Sequence, residues 1–165
     1  GVNANYANRV HNDLNDNSGR VRCRELLTKN LRNFGREQHY TEAEADEKMS
    51  SRFMSINLAK PMETVEQNPF VLCAWPSFAD QPYINNYRVY DDRVGETTRF
   101  TYRADHDWYW IPNQTPTEVS LLKCYDSVLD GSVSRWSFHT ACIDPTASED
   151  ARCRKNVVVR SYVFF

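Results

Sequence analysis

From residue 52 to the end, the chain is cut into short stretches that suit strands and leave no room for long helices. The stretches at 52–59, 69–75, 98–103, 107–112, 118–125, 134–143 and 156–165 are rich in β-branched and aromatic residues. Clusters of Pro, Gly, Asn, Asp and Ser separate them. Branched and aromatic side chains pack well on a pleated surface, and the intervening residues supply turn geometry. A turn-punctuated series of this kind builds a sandwich or barrel. At 165 residues and 41% hydrophobic, the chain fills one core and hardly two.

The first third reads differently. Residues 1–19 are polar and have room for one short strand, with Asn12, Asn15, Asn17 and Gly19 supplying turn chemistry. Over 20–35, Val21, Leu26, Leu27, Leu31 and Phe34 recur near helical spacing among basic residues, which predicts an amphipathic helix. Thr41-x-x-Glu44 has the capping-box pattern and opens a second short helix running to about Ser51. The expectation is one mainly β domain over 1–165, with a helical insertion at about 20–51. No internal repeat or low-complexity tract interrupts it.

Candidate chemistry begins with His11-Asn12-Asp13. Successive side chains of a strand alternate faces, so His11 and Asp13 point the same way if this segment is extended. His139 alternates with Phe138 in a distant strand and would bring a second imidazole. Two imidazoles and one carboxylate on one face of a metal, with the remaining positions open, suit a non-haem Fe(II) oxygenase. The pattern is short, and a polar leader produces it readily by chance, so a solvated His11 is the competing reading. His106, between Asp105 and Asp107, is the main rival ligand and reads as a solvated loop residue; His39 lies in a polar connection. Beyond His139, Arg154 and Arg160 both offer the planar fork that holds a carboxylate in two parallel hydrogen bonds.

Several short motifs follow in a fixed order. They are Arg52-Phe-Met-Ser-Ile-Asn57-Leu-Ala-Lys60-Pro61, Asn68-Pro69-Phe-Val-Leu-Cys73, His106-Asp-Trp-Tyr-Trp110, Lys123-Cys-Tyr-Asp-Ser127, His139-Thr-Ala-Cys-Ile-Asp-Pro145 and Arg154-Lys-Asn-Val-Val-Val-Arg160. Together they resemble a family of fungal and bacterial secondary-metabolite hydroxylases and desaturases, which includes gibberellin-desaturase-like proteins and the hydroxylase component of cephem methoxylation. The resemblance runs from about His11 to the end. It implies a double-stranded β-helix, or jelly roll, of the non-haem Fe(II)/2-oxoglutarate oxygenase type. It further implies Fe(II) held by His11, Asp13 and His139, 2-oxoglutarate bound through Arg154 or Arg160, and dioxygen and a small molecule as the other reactants. Arg154 begins the family's arginine-containing element and is the better anchor of the two.

Departures from the family pattern are informative. Ala59 stands where the family has tryptophan, Lys60 where it has arginine, Cys142 in place of phenylalanine and Asn156 in place of serine. Only ten residues precede His11, where relatives carry a substantial segment, so a fragment or a self-associating chain is expected. Two rival readings stay open: a catalytically silent jelly-roll interaction protein, and a cupin-like metalloenzyme that does not use 2-oxoglutarate.

Composition narrows the class further. A net charge of −2 gives no reason to expect nucleic acid, and no apolar run approaches a membrane span. Five scattered cysteines suit free thiols in a reducing compartment, which points to the cytoplasm. The many aromatic residues are expected mainly to fill the core, with some left to line an organic pocket.

Overall fold

A computed structural model describes residues 7–29, 39–91 and 93–165. The described chain is mainly β, with two α-helices near its start, eight strands and one short 3-10 turn.

Helix α1 spans Asp16–Thr28, so it starts earlier than the hydrophobic spacing predicts. The reason is local. Asn15 Oδ1 accepts from the Ser18 N–H at 2.7 Å, and Ser18 Oγ accepts from the Asn15 N–H at 2.9 Å. The asparagine chemistry expected to make turns is used instead to cap a helix. Gly19 lies inside that helix because a Cβ there would come within 2.2 Å of the Tyr125 ring. Its absence lets α1 settle onto Tyr125, burying Cys23 and Leu27 beside it. Leu31 and Phe34, expected on the same helix, lie outside the described residues. Helix α2 spans Glu42–Ser50 and carries the expected box: Glu44 donates its N–H to Thr41 Oγ1, and its carboxylate accepts from the Thr41 N–H. It buries Ala45 and Met49 against α1.

Strand β1, Phe53–Pro61, is the centre of an antiparallel sheet ordered β6-β1-β8. Its flanks are β6, Ser120–Asp126, and β8, Asn156–Phe164. Alternation places Phe53, Ser55, Asn57, Ala59 and Pro61 on the inward face. Lys60 is exposed on the other face, so the departure from the family pattern at that position does not touch the interior. That outer face also leaves Leu121, Val157 and Val159 exposed.

A second antiparallel sheet is ordered β5-β2-β7, with β2, Phe70–Cys73, between β5, Trp108–Tyr109, and β7, His139–Ala141. The hairpin β3, Ile84–Val89, and β4, Val94–Arg99, completes the β structure. Strand β3 has no clear signal in the sequence because Ile84-Asn-Asn-Tyr-Arg-Val89 is almost wholly exposed and carries two asparagines. The strand expected at 98–103 instead ends at Arg99.

The core between these elements is aromatic. Phe138 is fully buried, with ring centroids 4.5 Å from Phe100 and 5.1 Å from Phe78. Tyr125 stacks at 5.5 Å on Phe53 and meets Trp136 edge-on. Offset and edge-on pairs of this kind add to the burial of large apolar surfaces. His106 belongs to this core and not to a solvated loop: it is 8% exposed and 4.7 Å from the Phe100 ring. Its Nδ1 accepts from the Arg103 N–H at 3.4 Å, and its Nε2 meets the Gln81 amide. These contacts account for the histidine without any ligand role.

Candidate metal centre

Residues 11 and 12 form two single bridges that tie the leader into the β structure. His11 pairs with His139, and Asn12 pairs with Thr98. The His11 N–H donates to the His139 carbonyl at 3.1 Å, and the His139 N–H returns the bond at 3.0 Å. The two imidazoles are therefore direct cross-strand partners, with ring centroids 4.6 Å apart. His139 is itself held from the other side by Leu72 of β2. Phe138 turns into the core while His139 turns away from it, as the strand alternation requires.

Between the two candidate ligands, Asn12 faces the opposite way and is fully buried. Its Nδ2 donates to the Cys124 carbonyl at 2.8 Å and to the Leu14 carbonyl at 2.7 Å. The Cys124 carbonyl is available because β6 bulges there. Ser55 pairs with Tyr125 and Ile56 with Lys123, which leaves Cys124 opposite no residue. A bulge frees ladder groups and re-aims side chains, and here it does both. The sequence pattern read Asn12 as a turn residue and gave no sign of the bulge.

The result brings His11, Asp13 and His139 together: one ligand atom from each lies within 4.8 Å of the others. His11 Nε2 is 3.6 Å from Asp13 Oδ1. Both imidazoles are oriented by backbone carbonyls, His11 Nδ1 by Arg9 and His139 Nδ1 by Ser137, each at 2.8 Å. A carbonyl only accepts, so each Nδ1 carries a proton, and in the neutral ring the lone pair then lies on Nε2. This is the arrangement in which a histidine ligates through one nitrogen while the other is anchored.

Electrostatics act in the same direction. Burial alone would raise the Asp13 carboxyl, but His139, Arg160, His11 and the Cys124 thiol outweigh it and hold the group below its ordinary value. For His139, burial dominates and pushes its basicity down; Asp13 opposes this, while His11 and Arg154 add to it. These shifts favour an ionised Asp13 carboxylate and a neutral His139 imidazole, the forms that bind a divalent cation.

The two arginines diverge. Arg154 lies before β8 begins, whereas Arg160 lies within it. Its side chain is buried, its Nε donates to the Asn68 carbonyl at 2.9 Å, and its guanidinium stacks 3.5 Å from the Phe70 ring centroid. Phe70 meets the His139 ring edge-on at 6.2 Å, which places Arg154 beside the cluster. Arg160 is exposed and pairs with Asn57 across β1 and β8. Of the Tyr125-Asp-Ser127 segment, Tyr125 packs in the core and Ser127 accepts from the Phe53 N–H at 3.0 Å. Asp126 is an ion-pair hub for Arg52 and Lys123.

Comparison with known proteins agrees with these observations. A family model described as an oxidoreductase/YMDC permease-like domain matches residues 2–164. A hydroxylase/desaturase, asaB, of Aspergillus flavus is 27% identical over 138 residues, which is 76% of this chain and 61% of that protein. An alpha-ketoglutarate-dependent dioxygenase, tstK, of Talaromyces stipitatus is 30% identical over 116 residues, 69% of this chain and 42% of that protein. The chain therefore spans about half the length of such relatives. They bear out the resemblance to secondary-metabolite hydroxylases and desaturases read from the motifs. Among solved structures, an iron and alpha-ketoglutarate-dependent endoperoxidase, NvfI, superposes with a TM-score of 0.78 at 22% identity. The match covers 99% of this chain and 56% of that one, and it shows a shared fold.

Proposed function

The chain belongs to the oxidoreductase/YMDC permease-like domain family, and from that premise we propose that it is the metal-holding domain of an Fe(II)- and 2-oxoglutarate-dependent oxygenase. Its reaction is the hydroxylation or desaturation of a small secondary metabolite. The observation that carries this reading is the convergence of His11, Asp13 and His139, with both Nε2 lone pairs left free by anchored Nδ1 protons. The two sheets and the hairpin are read as one jelly roll, with α1 and α2 inserted between the first two ligands and β1. Among the described residues no helix is long and apolar enough to cross a membrane. The five cysteines are unbridged, which supports a reducing, cytoplasmic setting.

The donor set fits the metal. Two imidazole nitrogens and a carboxylate oxygen are the ligands of mononuclear non-haem iron, and the set leaves positions open. Iron held there supplies, with 2-oxoglutarate and dioxygen, the oxidising power to remove hydrogen from an unactivated carbon. Everything else is the work of the chain. The paired backbone of His11 and His139 fixes the spacing of the imidazoles, and the Asn12 clamp keeps Asp13 turned toward them. Arg154 would pair with the distal carboxylate of 2-oxoglutarate, its plane already held by the Asn68 carbonyl and the Phe70 ring. Pre-orientation of this kind lowers the entropy lost on binding.

The arginine assignment has its own test. Arg154→Ala should raise the KM for 2-oxoglutarate about 10- to 100-fold, the range for losing charge-assisted hydrogen bonds, while Fe(II) affinity stays unchanged. Arg160→Ala should leave that KM near the wild-type value. Steady-state kinetics on both variants decides it, and the reverse pattern would move the anchor to Arg160.

A further inference from the structure

The Asp13 carboxylate has two oxygens in different surroundings. Oδ1 is the one 3.6 Å from His11 Nε2, on the side of the imidazoles. Oδ2 accepts from Asn57 Nδ2 at 2.6 Å and lies 3.5 Å from the Cys124 thiol. Asn57 is 3% exposed and sits at the middle of β1, the central strand of its sheet. Leu122 pairs with it on one side and Arg160 on the other, so its backbone is fixed from both edges. Its amide can face the carboxylate only through the NH2 group, because an amide oxygen there would repel it. A short bond from a rigid strand to one carboxylate oxygen settles how the other oxygen is presented.

We propose that Asn57 is a positioning residue that makes Asp13 a one-oxygen ligand. This rests on the metal-centre reading and adds to it a reason why the centre keeps enough room. Three ligands that each give one atom leave three of the roughly six positions around the ion open. A 2-oxoglutarate chelate takes two of these and dioxygen needs the third. If Asp13 swung to bind through both oxygens, one position would be lost and the reactants would compete for the remainder. Asn57 prevents that swing by engaging Oδ2, and Cys124, placed by the bulge in β6, crowds the same oxygen.

Cobalt(II) is the probe, since its visible absorption reports the ligand arrangement without turnover. The full 165-residue chain is titrated with Co(II) in the wild type, in Asn57→Ala and in Asn57→Leu, which keeps similar volume but has no donor. Thermal melts of the three metal-free proteins check the fold. The wild type should bind one Co(II). Both variants should bind about 10- to 100-fold more weakly, the usual cost of removing a group that orients a ligand. Their bound spectra should also differ from the wild type, because the second Asp13 oxygen takes a position that another ligand holds in the wild type. Wild-type affinity and an unchanged spectrum in either folded variant would overturn the role of Asn57 while leaving the metal centre intact. Failure of the wild type to bind Co(II) would remove the metal centre, and the role of Asn57 with it.

Discussion

His139→Ala should abolish metal binding while leaving most of the fold in place. The imidazole is one of only three side chains whose donor atoms converge, so no neighbouring group among the described residues replaces it. Losing a group that merely orients a ligand costs about 10- to 100-fold in metal affinity, so losing the ligand itself should cost more than about 100-fold. The backbone pairing of residue 139 with His11 and Leu72 does not depend on the side chain, and alanine retains it. The side chain is buried, so some stability is lost through the cavity that remains. Equilibrium dialysis with Fe(II) under anaerobic conditions measures the affinity, and circular dichroism checks the fold. Near-wild-type binding by the variant would exclude His139 as a ligand.

The largest effect on stability is expected away from the metal, at Asp126. This carboxylate is fully buried and receives Arg52 Nη2 at 2.7 Å, Lys123 Nζ at 3.1 Å and the Val128 N–H at 3.1 Å. Asp126→Ala leaves all three donors facing an empty site. Breaking a buried ion pair from one side costs about 3–5 kcal/mol, but Arg52 and Lys123 are partly solvated, so about 2–3 kcal/mol is expected. For a chain of this size that lowers Tm by about 4–12 °C. The pH dependence fixes the sign. Burial raises the Asp126 carboxyl, but hydrogen bonds from Arg52, Val128 and Lys123 outweigh it and hold the folded value below the ordinary one. The stabilisation is therefore complete above the unfolded value of roughly 4 and disappears as pH falls through the folded value. Wild type and variant should differ most near neutral pH and converge in acid. A constant difference down to pH 2 would mean that ionisation of Asp126 contributes little.

Much of this was legible in the sequence, for physical reasons that vary from residue to residue. Strand β1 was legible from its apolar and branched composition between turn clusters, although its buried face carries Ser55 and Asn57 and its less buried face Met54, Ile56 and Leu58. Helix α2 was legible from its reciprocal cap. His139 was identifiable because it alternates with Phe138, whose ring belongs in the core. The hairpin strand β3 was not legible, since pairing with β4 rather than burial holds it in place. The early start of α1 was hidden because asparagine serves turns and helix caps with the same local bond. At the candidate metal centre, the His-x-Asp spacing marked His11 and Asp13, but Asn12 between them read only as a turn residue. Asn12 holds that segment only because a bulge far along the chain exposes the Cys124 carbonyl. Asn57 lay in a motif, but its bond to Asp13 depends on how the leader folds across β1. His106 misled in the opposite direction: two flanking aspartates suggest solvent, yet four aromatic and amide neighbours enclose it.

The central claim is that His11, Asp13 and His139 hold an iron that acts together with 2-oxoglutarate. The most direct test is to incubate the chain with Fe(II), ascorbate, dioxygen and 2-oxoglutarate and to measure succinate, in wild type and in Asp13→Ala. Slow succinate formation is expected from the wild type even without its organic substrate, with none above background from the variant. Equal succinate from both, or metal-loaded wild type that leaves 2-oxoglutarate untouched with or without candidate substrates, would contradict the assignment.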